Sequence, residues 1–121
     1  MVKVAIVSVC RTPLTKRVKK GKSRVSSQLL ISTAVEEALL RTPHISKCMP
    51  EDVAVGNVLG GASASVTART AIVSAFKKAS LPPLTPIRLV NRQCASGLQV
   101  STDKIAKFVH LSLSLSLSPS I

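Results

Sequence analysis

Apolar residues fall in short runs along this chain, and each change in their period marks a change of element. Val4, Ala5, Ile6, Val7 and Val9 make residues 2–9 a nearly continuous apolar run, which predicts a strand covered on both faces. Arg11-Thr12-Pro13 closes it. Over residues 28–41 the period lengthens to that of a helix, with Leu30, Ile31, Ala34, Val35 and Ala38 on one face and Glu37 and Arg41 paired at i,i+4. Ser26 or Ser27 is placed to cap that helix. Pro43 and Pro50 bracket a connector, and Val53-Ala54-Val55-Gly56-Asn57-Val58 reads as a second strand before Gly60 and Gly61 permit a tight turn. Ala68, Ala71, Ile72, Ala75, Phe76 and Ala79 then recur as a helical stripe, predicting a second helix over residues 66–79. Pro82, Pro83 and Pro86 form a linker, residues 87–90 a short third strand, and a third helix is expected after Cys94.

Strands alternating with helices predict an α/β architecture of βαβ units, with right-handed crossovers and a mainly parallel sheet covered by helices. A chain of 121 residues suits one such unit. Residues 1–109 are assigned to it. Residues 110–121 hold a tail in which Leu111, Leu113, Leu115 and Leu117 alternate with serines. A two-residue period matches a half-buried strand, but a simple CT nucleotide repeat read in triplets also encodes alternating Leu and Ser. The tail is therefore expected to be low-complexity sequence without structure of its own.

Composition sharpens this picture. Apolar residues make up 45% of the chain, which disfavours disorder of the highly charged, weakly hydrophobic kind, and aromatics only 2%, so the core has to be built from Val, Leu, Ile and Ala. No apolar run approaches the ~18–20 residues that span a bilayer. The amino terminus enters an apolar strand pattern at once, so no secretory signal is expected. The net charge of +12 concentrates in Lys16, Arg17, Lys19, Lys20, Lys22 and Arg24. Interleaved aromatics and any DNA- or RNA-binding spacing are missing from that run, so no specific nucleic-acid partner is expected. A solvated loop is the simpler reading, with a polyanion-binding module and attraction of a phosphate-bearing cofactor as alternatives. Cys10, Cys48 and Cys94 have no CxxC pairing, which argues against a disulfide scaffold or a metal site and for a reducing compartment.

One cysteine stands apart. Cys94 falls at a strand-to-helix junction, where unpaired amides and the positive helix end stabilise a thiolate. Ala95, Ser96 and Gly97 are small enough to let a substrate carbonyl approach the backbone, and the Cys94 amide is placed to serve in an oxyanion site. A free cysteine is more often a small core hydrophobe, and local context alone leaves both roles open. Cys10 at a strand end and Cys48 in a connector read as structural, and His44 and His110 as loop and helix-end residues.

Val90-Asn91-Arg92-Gln93-Cys94-Ala95-Ser96-Gly97-Leu98-Gln99 resembles the segment around the acyl-accepting cysteine of thiolases. Val9-Cys10-Arg11-Thr12-Pro13 is similar to the end of that family's first strand, and Gly56-Asn57-Val58-Leu59 and Ala68-Arg69-Thr70-Ala71 to the loop and helix between. The resemblance implies a partial thiolase-like fold. It implies an acyltransferase in which Cys94 attacks a 3-ketoacyl-CoA, acetyl-CoA leaves, and the acyl group passes to a second coenzyme A. Within the family it points to degradative 3-ketoacyl-CoA thiolases of fatty-acid β-oxidation, in the peroxisome or cytosol. Acyl-CoA and coenzyme A are then substrates, no metal or redox cofactor is needed, and the partner is a second copy or another thiolase subunit. The family's Gly-His-Pro and Cys-x-Gly motifs are absent from these 121 residues. Lys77 and Lys78 also stand where the family more often has a small turn. A truncated front end, inactive alone and aggregation-prone or molten, is the expectation, with a non-catalytic piece docking a full-length subunit as the alternative.

Overall fold

A computed structural model of the chain describes residues 5–13, 25–44 and 50–106. The first helix, α1 (Ser27–Leu40), opens on Ser26, whose backbone is extended and whose Oγ accepts the Leu29 amide at 3.2 Å. Such a cap is worth about 1 kcal/mol. Its inward face is Ile31, Ala34, Val35, Ala38 and Leu39. At its end the Arg41 guanidinium donates to Glu37 at 2.7 Å and to the Val9 carbonyl at 3.0 Å. The hydrogen bond to Glu37, and then the Glu37 charge, push Arg41 above its usual range.

Strand β1 (Val53–Gly56) is shorter than the pattern suggests because Asn57 ends it. The Asn57 Oδ1 accepts the amides of Leu59 at 3.1 Å and Gly60 at 3.0 Å, turning the chain before Val58 can extend the ladder. Gly61, at φ +53°, then leads a single 3₁₀ turn into α2 (Ala64–Lys78). The second strand, β2 (Ile87–Val90), runs parallel to β1 with Val53 opposite Ile87 and Gly56 opposite Val90. The last helix is α3 (Ser96–Ala106).

Side-chain alternation makes the two faces of this sheet different. Val53 and Val55 point to one face, where Ile87 and Leu89 join them against Ile31, Val35 and Leu39 of α1 and Ala71, Ile72 and Phe76 of α2. Phe76, the one large aromatic in that core, is 1% exposed. Ala54 and Gly56 belong to the opposite face, and α3 covers it, burying Val100 completely. The described residues thus form an α/β unit with helices on both sides of a parallel pair, as a partial thiolase-like fold requires.

One expected element is absent among the described residues. Residues 5–9 are irregular, not a strand, with Ile6 85% and Val9 73% exposed. An apolar run becomes a strand only when a ladder takes its backbone groups, and among the described residues β1 and β2 bond only to each other. Here the Val9 carbonyl goes to Arg41, and the Cys10 thiol donates to the Ala34 carbonyl at 3.0 Å. The basic run at residues 16–24, Cys48, His110 and the Leu-Ser tail lie outside the described residues. No helix among the described residues is long and apolar enough to cross a membrane.

Candidate active site

The segment between β2 and α3 is built almost entirely from its own polar groups. The Asn91 Nδ2 donates to the Val58 carbonyl at 3.2 Å, tying the turn to the loop after β1, while its Oδ1 accepts the Gln93 amide at 3.1 Å. The Arg92 amide donates to Ser96 Oγ at 2.8 Å, and that hydroxyl in turn donates to the Gln93 carbonyl at 2.6 Å. Gln93 is left-handed at φ +48°, uncommon for a residue with a side chain. Together these bonds reverse the chain sharply and present Cys94 as an exposed free thiol two residues before α3.

Small residues set how close the pieces come. A Cβ on Gly56 would stand 3.0 Å from the Ser96 carbonyl carbon and oxygen and 3.1 Å from the Gly97 amide nitrogen. The end of β1 therefore abuts the first turn of α3 backbone to backbone. Ser96 is 3% exposed, whereas Ala95 and Leu98 are exposed. The thiol, two residues before α3 and flanked by small residues, is sterically open to an incoming group.

Other candidates sort away from this point. Cys10 is half-buried against α1 in a cleft of about 150 Å³ that also involves Thr33 and Glu37, and its bond to Ala34 fits a structural role. His44 is exposed in the turn after α1, and no hydrogen bond among the described residues joins it to Cys94. The larger cleft, about 360 Å³ between the ends of α1 and α2, is separate from the Cys94 turn. Sequence reasoning missed the left-handed Gln93 and the side-chain chain from Arg88 to Arg92. A signal for the second existed: Ser96, Gln99 and Asp103 form a polar stripe at i, i+3, i+7 on α3.

A parallel strand pair with helices on both faces defines an α/β protein, with a free, exposed cysteine at its junction of strand and helix. The model of the thiolase N-terminal domain matches residues 4–109, and the chain belongs to the thiolase family. It is 40% identical over 105 residues to peroxisomal 3-ketoacyl-CoA thiolase 1 of Arabidopsis thaliana, covering 85% of this chain and 22% of that protein. Against peroxisomal 3-ketoacyl CoA thiolase 1 of Petunia hybrida it is 38% identical, covering 85% and 21%. Peroxisomal 3-ketoacyl-CoA thiolase B of Candida tropicalis is 33% identical, with 83% and 23% covered. The chain thus spans about a fifth of the length of these curated relatives. No solved structure matches it.

Proposed function

We propose that these residues form the acyl-accepting part of a 3-ketoacyl-CoA thiolase, with Cys94 as its nucleophile. The observation that carries this reading is the exposed Cys94 thiol at the tip of a turn locked between β2 and α3. In the proposed reaction the thiolate attacks the 3-keto carbon, the bond between C2 and C3 breaks, and acetyl-CoA departs after its new carbanion takes up a proton. The acyl group, now a thioester on Cys94, passes to the thiol of a second coenzyme A, and sulfur leaves again as the thiolate. Both steps move protons. The 121 residues contain no Gly-His-Pro or Cys-x-Gly motif to handle them, so this chain alone is proposed to be inactive in turnover. Residues 1–109 would carry the fold and residues 110–121 none of the chemistry. A second thiolase chain is the proposed partner, and acyl-CoA and coenzyme A the proposed ligands.

The test is to incubate the chain with acetoacetyl-CoA and coenzyme A, following both turnover and the mass of the Cys94 peptide. Slow, stoichiometric acetylation of Cys94 without sustained thiolysis is expected. Acetylation at other residues only would refute the assignment of Cys94. Sustained turnover abolished by Cys94→Ala would instead refute the need for the missing proton-handling groups.

A further inference from the structure

Beneath the Cys94 turn runs a continuous line of polar contacts that begins in the middle of the sheet. Arg88 of β2 points to the face covered by α3, where its Nη1 donates to Asp103 Oδ2 at 3.2 Å and its Nε lies 3.7 Å from Asp52 Oδ2. The other Asp103 oxygen, Oδ1, accepts from Gln99 Nε2 at 2.5 Å. Gln99 Oε1 then accepts from Nη1 of Arg92, the residue two before the thiol. Each link fixes the next. A carboxylate only accepts and a guanidinium only donates, so the Gln99 amide can satisfy both neighbours in one orientation alone. Arg92 is consequently held at both ends, its side chain by Gln99 and its backbone amide by Ser96 at 2.8 Å. Both holders stand on α3, three residues apart, and α3 is itself pinned to β2 through Asp103.

We infer that Asp103 and Gln99 are positioning residues for Cys94, bracing the turn from Arg92 to Ala95 against α3 so that the thiol meets an incoming thioester in one orientation. The inference rests on Cys94 being the acyl acceptor. Neither residue touches the thiol by any hydrogen bond among those described; they act through Arg92. The brace is needed because the turn contains a left-handed Gln93 and is otherwise exposed from Asn91 to Ala95. A turn of that kind samples other conformations unless neighbouring groups over-determine it.

Three forms of the full chain test this: unaltered, Gln99→Met, and Gln99→Glu combined with Asp103→Asn. In the double variant the carboxylate at position 99 accepts from Arg92, while the amide at position 103 donates to it and accepts from Arg88, so the brace is rebuilt with its polarity exchanged. The readouts are amide hydrogen exchange at residues 93–95 and, at Cys94, the rate of acetylation by acetoacetyl-CoA divided by the rate of alkylation by iodoacetamide. Alkylation reports thiol availability, and acetylation adds the demand for orientation. In Gln99→Met, exchange is expected to rise at least tenfold and the rate ratio to fall at least tenfold, with protection in α1 and α2 retained. The double variant is expected to stay within twofold of the unaltered chain on both measures. If Gln99→Met also loses protection in α1 and α2, Arg92→Met, at an exposed position, breaks the same link and is read in the same way. Unchanged exchange and ratio in the broken variant, a double variant that behaves like it, or no protection at residues 93–95 in the unaltered chain overturns the brace. Exchange that responds as expected while no form acquires an acetyl group on Cys94 overturns the reading of Cys94 instead.

Discussion

Replacing Gly56 by Ala tests the contact that sets the distance between β1 and α3. The new methyl group would sit 3.0 Å from the Ser96 carbonyl and 3.1 Å from the Gly97 nitrogen, and both are backbone atoms that cannot swing aside. Relief has to come from moving the start of α3 by a few tenths of an ångström. Overpacking of this kind costs about 1–3 kcal/mol. Against it stands a gain of about 0.4–1 kcal/mol, because Ala has less freedom than Gly to lose on folding. With both terms at mid-range the net is a loss of about 1 kcal/mol. Urea unfolding reads it directly: with a slope near the low end for small proteins, about 1 kcal/mol per molar, the midpoint should fall by about 1 M at unchanged slope. Exchange protection should weaken most across Asn91 to Val100 and least in α1, which lies on the other face of the sheet. A midpoint that stays put or rises would refute the argument, since it would mean that α3 has room at β1 for a side chain.

Phe76→Ala empties the centre of the face shared by α1, α2 and the sheet, where Phe76 is 1% exposed; a loss of about 3–5 kcal/mol is expected, seen as a collapsed thermal transition, and a shift of a few degrees would contradict it. Ser26→Ala removes the acceptor for the Leu29 amide and should cost about 1 kcal/mol in denaturant unfolding, while Ser26→Asp should restore it.

Where periodicity and local caps decide an element, the sequence was legible to within about two residues. The expected helix over residues 28–41 is Ser27–Leu40, opened by Ser26. The stripe from Ala68 to Phe76 lies on a helix that starts earlier, at Ala64, because the turn at Gly61–Ser63 already winds the chain, and Ala79 is that helix's C-cap. Residues 87–90 are a strand as expected. What failed was residues 5–9, where the pattern was right for a strand but strandness depends on a partner elsewhere in the fold. The position of Cys94 and its small neighbours between β2 and α3 was readable because the junction of strand and helix is a local property. The link from Arg92 to Gln99 was half announced, by the polar stripe of Ser96, Gln99 and Asp103 on α3, but its closure on Arg92 depends on a left-handed Gln93 that no pattern announces.

The parallel pairing of β1 and β2 has a consequence for the order of assembly. Setting Val53 beside Ile87 closes a loop of about thirty residues, and every local contact of α2 forms within that loop. The shelf on which α3 rests, Ala54 and Gly56 beside Arg88 and Val90, does not exist until the loop has closed. The thiol turn is thus downstream of the closure of the parallel pair. Both strands precede Cys94 in the chain, so the shelf can close before the thiol emerges, and whatever reactivity the turn confers waits on one later event, the docking of α3.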